Sequence, residues 1–274
     1  MRKIPMRFRV LLLLLVVGCQ SLENRLVYHP MPADPRHAAP LPAPVDDLRL
    51  RTADGTYLHA RWWPHPDAKG TLLYLHGNAG NLEHFGRTVR DLNISLERSI
   101  LIIDYPGYGR SEGKPSEAGC YAAAQTAYDW LTQTKGIPAQ QIVIAGESLG
   151  GGIAVELASK RPHEALVLIR TFTSVPEIAK HVSGIASAPA VMVNRFDSLK
   201  RIPSCPAPIF IAQAEKDRVM PFDHGEKLRD ASTAPVCFHV MRGLDHNDPL
   251  PPEFFRELRE FLERSSTDHV TPVK

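Results

Sequence analysis

Apolar positions in this chain fall into short unbroken runs. Thr71-Leu72-Leu73-Tyr74-Leu75, Ser99-Ile100-Leu101-Ile102-Ile103, Gln141-Ile142-Val143-Ile144-Ala145, Ala165-Leu166-Val167-Leu168-Ile169, Pro208-Ile209-Phe210-Ile211-Ala212 and Val236-Cys237-Phe238-His239-Val240-Met241 are brief and rich in β-branched residues. Runs of this kind predict strands covered on both faces, as in a parallel sheet. Between them, stretches near 82–97, 116–134, 149–160, 222–231 and 252–264 predict helices. Ahead of them, Leu48–Thr52 and Tyr57–Trp63 flank Asp54-Gly55 and predict an antiparallel hairpin. Strands alternating with helices predict an α/β fold: a mostly parallel central sheet with helices on both faces. One segment breaks the alternation. Val175 to Pro203 holds Ile178, Val182, Ile185, Val191, Met192, Val193 and Phe196, and predicts a small amphipathic cap that either packs on the domain, lines a pocket or meets lipid.

The most informative junction is Gly146-Glu147-Ser148-Leu149-Gly150, which lies where the run 141–145 must turn into the helix from 149. A serine there is held in a strained turn that exposes its hydroxyl, and the flanking glycines remove Cβ atoms that would collide. The five-residue pattern alone is common; the strand before it and the helix after it supply its weight. A serine hydroxyl is a poor nucleophile until an imidazole takes its proton, and the imidazole needs a carboxylate to fix its tautomer. Candidates follow in the required order. Asp217 lies on the loop after the strand 208–212, and His246 on the loop after 236–241. Loops beyond the C-terminal ends of parallel strands gather at one edge of the sheet, so Ser148, Asp217 and His246 are expected to converge. Glu215, Asp223, Asp245 and Asp248 compete for the acid. His224, in a predicted helix, and His239, inside a strand, compete for the base.

The strand 71–75 breaks at His76-Gly77-Asn78-Ala79-Gly80-Asn81. This loop is placed to offer the N–H of Asn78, beside that of Leu149, to an oxygen that becomes negative during acyl transfer. His76, Asp104, Tyr105 and Asn247 are expected to order their loops.

These stretches, with Asp104-Tyr105-Pro106-Gly107-Tyr108-Gly109-Arg110-Ser111, Lys216-Asp217-Arg218-Val219 and His246-Asn247-Asp248, resemble the serine hydrolases of the α/β-hydrolase fold. More narrowly, they resemble the branch of the α/β-hydrolase domain-containing depalmitoylases and lysophospholipases and their bacterial relatives. The resemblance runs from about Leu48 to Arg264, and Arg25-Leu26-Val27-Tyr28-His29-Pro30 is similar to that branch's lead-in. It implies cleavage of carboxylic ester or thioester bonds through an acyl-serine, with Ser148, Asp217 and His246 catalytic and Asn78 and Leu149 in the oxyanion hole. A departure is Asp245, where the branch usually has a small residue; this carboxylate either raises the basicity of His246 or faces solvent. A peptidase or amidase on the same fold is one alternative. A catalytically idle binding lipoprotein is another, against which the complete triad argues.

The N-terminus adds a location. Arg2, Lys3, Arg7 and Arg9 precede an apolar run, Val10 to Val17, that is far short of the ~20 residues a span requires. Val16-Val17-Gly18-Cys19 closes the run and resembles a bacterial lipobox, which implies lipidation of Cys19 and removal of residues 1–18 as a signal peptide. Acyl chains there tether the protein to a membrane. Gln20 after the cysteine points to the outer membrane of the cell envelope, facing the periplasm. The expected layout is a Pro-rich tether or surface strap over 19–46, a hydrolase domain over 47–266 with its cap at about 175–203, and a tail over 267–274.

The formal net charge of +2 is more than accounted for by the four basic residues of the leader, so nothing points to nucleic acid. No metal or nucleotide motif occurs, and neither metal nor cofactor is expected. The expected partner is a small-molecule or acyl-lipid ester. Beyond Cys19 the cysteines are Cys120, expected buried in a helix, and Cys205 and Cys237, whose flanking strands suggest adjacency.

Overall fold

The computed structural model describes residues 23–33, 44–183 and 192–268. Its centre is an eight-stranded sheet. In chain order the elements needed here are β1 (His29–Pro30), β2 (Asp46–Arg51), β3 (Tyr57–Trp63), β4 (Thr71–Leu75), β5 (Ala79–Gly80), β6 (Ser99–Ile103), β7 (Ile142–Glu147), β8 (Ala165–Ile169), β9 (Ile209–Ala214) and β10 (Val236–Met241). The sheet order is β10-β9-β8-β7-β4-β6-β3-β2, with β2 and β3 antiparallel at one edge and the strands from β6 to β10 parallel. This is the α/β-hydrolase fold.

The strands read from unbroken apolar runs lie where expected, because β4, β6 and β8 are buried at every position and must be apolar on both faces. One apolar cluster fills each side of the sheet. Leu73, Leu101, Ile144, Leu168 and Ile211 point to the first, and Leu72, Ile100, Val143, Val167 and Phe210 to the second. The alternation along each strand divides the core in two.

Chain order reverses around β4: β6 pairs on one side of it, and β7 crosses to the other. A sheet of this kind opens a crevice at that switch point, beyond the strand C-termini. Leu75, the last residue of β4, registers with Gly146 of β7, so the loop after β4 and the turn after β7 emerge side by side.

Two expectations need correction. The helix expected from 82 begins at Gly86; residues 82–85 form turns, with the N–H of Leu82 donating to Asp104 Oδ1 (2.7 Å) and that of Glu83 to Asn81 Oδ1 (3.0 Å). Cys205 and Cys237 are not paired: Cys205 is buried in the first cluster, Cys237 packs against the second, and the sheet lies between them. Burial pushes the Cys205 thiol up to about 12, so it stays protonated. Among the described residues, the cap holds the helix Val175–Ser183 and the short helix Ser198–Arg201; Ile185 and Val191 lie outside the described residues. Phe196 is fully buried and Ile178 and Met192 pack against the core, whereas Val182 and Val193 are 70% and 52% exposed.

Candidate active site

Ser148 sits between β7 and the helix Leu149–Ala158, at φ 54° and ψ −117°. Positive φ is costly for any residue with a Cβ and persists only where the surroundings impose it. Here they do. A Cβ on Gly146 would lie 2.2 Å from the carbonyl oxygen of Gly150, and one on Gly150 would lie 2.0 Å from that of Leu75. The turn therefore closes only with glycine at both positions. The N–H of Ser148 donates to Ile169 O (2.9 Å), and Thr171 Oγ1 donates to Ser148 O (2.9 Å), which fixes the turn against β8.

The three expected residues meet. Ser148 Oγ is 3.2 Å from His246 Nε2, and His246 Nδ1 is 2.7 Å from Asp217 Oδ2. The other Asp217 oxygen accepts the N–H groups of Val219 (2.9 Å) and Met220 (2.7 Å), so the carboxylate is held in one orientation. The competitors are engaged elsewhere. Asp223 pairs with Lys227, Glu215 accepts the N–H of Gly243, and Asp248 accepts that of Asp245. His239 pairs with Glu257, and His224 Nδ1 accepts the Thr173 N–H (3.1 Å). Burial lowers the His224 pKa, which suits a neutral acceptor.

Asp245 is partly exposed at the surface, and its hydrogen bonds do not reach the His246 ring. It accepts the backbone N–H groups of Arg218 (3.1 Å) and His246 (2.8 Å) and pairs with the Arg218 guanidinium. These donors lower its pKa to about 2, so it braces the two loops that carry Asp217 and His246.

The loop after β4 lies against the turn: a Cβ on Gly77 would be 3.5 Å from that of Ser148. Neither Asn78 nor Leu149 finds an acceptor for its N–H among the described residues, and Leu149 opens its helix, where such donors are free by geometry. His76 is buried, donates from Nδ1 to Gly77 O (2.7 Å) and stacks on Phe85. Burial pushes the Asp104 carboxyl up, but hydrogen bonds from His59 and the Leu82 N–H, with the His76 ring 3.4 Å away, more than reverse this, leaving its pKa below the ordinary value. Tyr105 donates to His76 O (2.7 Å). These residues order the loop, as expected.

A cavity of about 570 Å³ opens over Ser148 and His246. Its apolar wall comes from Phe85, Val219, Met220, Leu250 and Phe255, and Asn247 lines it too; among the described residues the cap contributes nothing to the lining. Beneath it runs a polar network that sequence reasoning missed. Glu147, beside the serine, accepts from Arg170 Nη2 (2.7 Å) and from the Tyr74 hydroxyl, and Arg170 Nη1 donates to Asp248 O (2.6 Å). Burial and the Glu147 carboxylate push the Tyr74 phenol well up, so it donates. Arg170, at φ 48°, thus ties the serine turn to the histidine loop. The sequence carried a partial signal: Glu147 ends β7 and Arg170 follows β8, and a buried charge there persists only when paired, which shows that each has a partner but not which one.

A parallel sheet with its turn serine, histidine and aspartate in hydrogen-bonding reach at the switch point defines a hydrolase-fold protein. The comparisons agree, and the chain belongs to the α/β-hydrolase family. Residues 70–190 match that family's sequence profile, the alpha/beta hydrolase fold. A protein of Mycobacterium tuberculosis is 35% identical over 84% of this chain and 82% of its own length. Human alpha/beta hydrolase domain-containing protein 17B is 30% identical over 73% of this chain and 68% of its own. Among solved structures, an esterase from Pyrococcus furiosus superposes with a TM-score of 0.70 at 16% identity, covering 87% of this chain and 98% of the esterase. That last likeness is one of fold.

Proposed function

We propose that this protein is a serine hydrolase that cleaves carboxylic ester or thioester bonds through an acyl-serine intermediate. The observation that carries this reading is the continuous chain Ser148 Oγ, His246 Nε2, His246 Nδ1, Asp217 Oδ2, with distances of 3.2 and 2.7 Å. Ser148 Oγ attacks the carbonyl carbon as His246 Nε2 takes its proton, and Asp217 stabilises the imidazolium. The N–H groups of Leu149 and Asn78 hold the oxyanion. His246 then gives the proton to the departing alcohol or thiol, and water repeats the sequence in reverse to release the acid.

The apolar wall formed by Phe85, Val219, Met220, Leu250 and Phe255 supports a substrate with one medium or long acyl chain. Because each buried CH₂ contributes up to about 0.8 kcal/mol, kcat/KM should rise by as much as about tenfold per two carbons until the pocket is filled. A series of p-nitrophenyl esters from acetate to laurate, measured below micelle formation, checks this. A maximum at acetate with a steady fall thereafter would overturn the acyl-chain specificity.

The Gly18-Cys19 junction after the apolar run supports anchorage by lipidated Cys19 in the bacterial cell envelope, at the outer membrane facing the periplasm. Cys19→Ser should move the protein out of the membrane fraction or leave its signal uncleaved. Continued incorporation of radiolabelled palmitate would refute the anchor.

A further inference from the structure

The lead-in segment 23–33 belongs to neither the sheet nor the triad, yet its polar contacts converge on the loop that carries Asn78. Asn78 Nδ2 donates to Val27 O (2.6 Å) and lies 2.9 Å from His29 Nδ1. Asn78 Oδ1 accepts the His29 N–H (3.1 Å) and the Tyr108 hydroxyl (2.9 Å). β1 pairs in parallel with β5, His29 opposite Ala79 and Pro30 opposite Gly80, and the N–H of Met31 donates to Gly80 O (3.2 Å). Asn81 Nδ2 donates to Met31 O and Pro32 O, both at 3.2 Å. The same segment is fastened at its start. The Glu23 carboxylate accepts the N–H groups of Val193 and Asn194, and the buried Tyr28 donates to Asn194 Oδ1 (2.6 Å).

β4 ends at Leu75, so residues 76–81 have left the main sheet and its ladder no longer holds their backbone. His76, Tyr105 and Asp104 secure the two ends of this loop. Its middle, Asn78 to Gly80, is held by Val27, His29 and Met31, with Tyr108 as the further brace on the Asn78 side chain. An oxyanion donor works only within a narrow distance range, about 2.7–3.1 Å from the developing charge, and a site loosened by about half an ångström loses much of its effect.

We propose that residues 23–33 form a positioning strap for the oxyanion hole, in which Val27 and His29 grip the Asn78 side chain so that the Asn78 N–H is held on the developing oxyanion. The proposal rests on the catalytic reading above. It makes Asn78 bifunctional: its backbone is the donor, and its side chain is the handle by which the strap holds that donor. The strap then acts on the transition state rather than on the bound ester, so loosening it lowers kcat and spares KM.

The test uses the full-length protein with Asn78→Ala, which keeps the N–H and removes the handle, and His29→Pro, which removes both the N–H that Asn78 Oδ1 accepts and the ring nitrogen beside Asn78 Nδ2 without changing a residue of the loop. Each should lower kcat by about 10- to 100-fold, less than the 10²–10³ that follows loss of a whole donor. KM should stay within about twofold, and affinity for a boronic acid that mimics the tetrahedral adduct should fall by the same factor as kcat. The double variant should be little worse than the worse single, because both changes break one grip. The strap is refuted if folded variants retain wild-type kcat, if kcat and boronate affinity part company, or if the two losses multiply. A wild-type protein that turns over esters and labels at Ser148, with either variant unimpaired, removes the strap alone. A wild type that does not label with a fluorophosphonate removes the catalytic reading as well.

Discussion

Ser148→Ala is expected to abolish fluorophosphonate labelling and lower ester hydrolysis by about 10⁶ while the protein stays folded. The substitution deletes one oxygen whose hydrogen-bonding partner is His246; the Ser148 side chain does not cap its helix. The strain at φ 54° is carried by the backbone and Cβ, which alanine retains, and the clamps from Ile169 O and Thr171 Oγ1 act on backbone atoms. The melting temperature should therefore stay within a few degrees of wild type. Residual hydrolysis above the spontaneous rate is expected from the oxyanion donors alone. Turnover near the wild-type rate, measured with a p-nitrophenyl ester, would show that Ser148 is not the nucleophile.

Asp217→Asn should lower kcat by about 10⁴, or about 5.5 kcal/mol, and the structure dictates why an isostere is so damaging. Asp217 Oδ1 accepts two backbone N–H groups, from Val219 and Met220, and Oδ2 faces His246 Nδ1. In asparagine the amide oxygen must take the first position, because an NH₂ there would oppose two donors. The NH₂ is then turned toward Nδ1 and donates to it, which leaves the ring proton on Nε2. That nitrogen can no longer accept the Ser148 proton. Asp245→Asn, at an exposed ion pair with Arg218, should change kcat by no more than about fivefold, and Asp223→Asn by less. Steady-state kinetics on the three variants separate these outcomes. If Asp245→Asn is the crippling change, the acid is misassigned.

The contrast between what could and could not be read from the sequence has a physical origin. β4, β6, β8 and β9 were legible because strands buried on both faces admit little but apolar residues. The triad was legible because each member follows such a run on a loop, and parallel topology sends all such loops to one edge. Arg170 and Tyr74 were not, because their common partner Glu147 lies on a neighbouring strand, and that adjacency exists only once the order β8-β7-β4 is known. The free thiols of Cys205 and Cys237 failed for a related reason: flanking strands suggest proximity, but only the alternation of faces decides which side of the sheet each sulfur occupies. The grip of Val27 and His29 on Asn78 spans about fifty residues and leaves no periodic trace.

The fastening of Glu23 to Val193 and Asn194 sets a leash length. Cys19 precedes Glu23 by four residues, which span at most about 14 Å when fully extended. An acyl anchor at Cys19 would then allow the domain to pivot but not to roam. Such an enzyme would meet its substrates by lateral diffusion within one leaflet. Its rate would follow the mole fraction of substrate in the membrane rather than the bulk concentration, and diluting the surface with inert lipid would slow it even at constant total substrate.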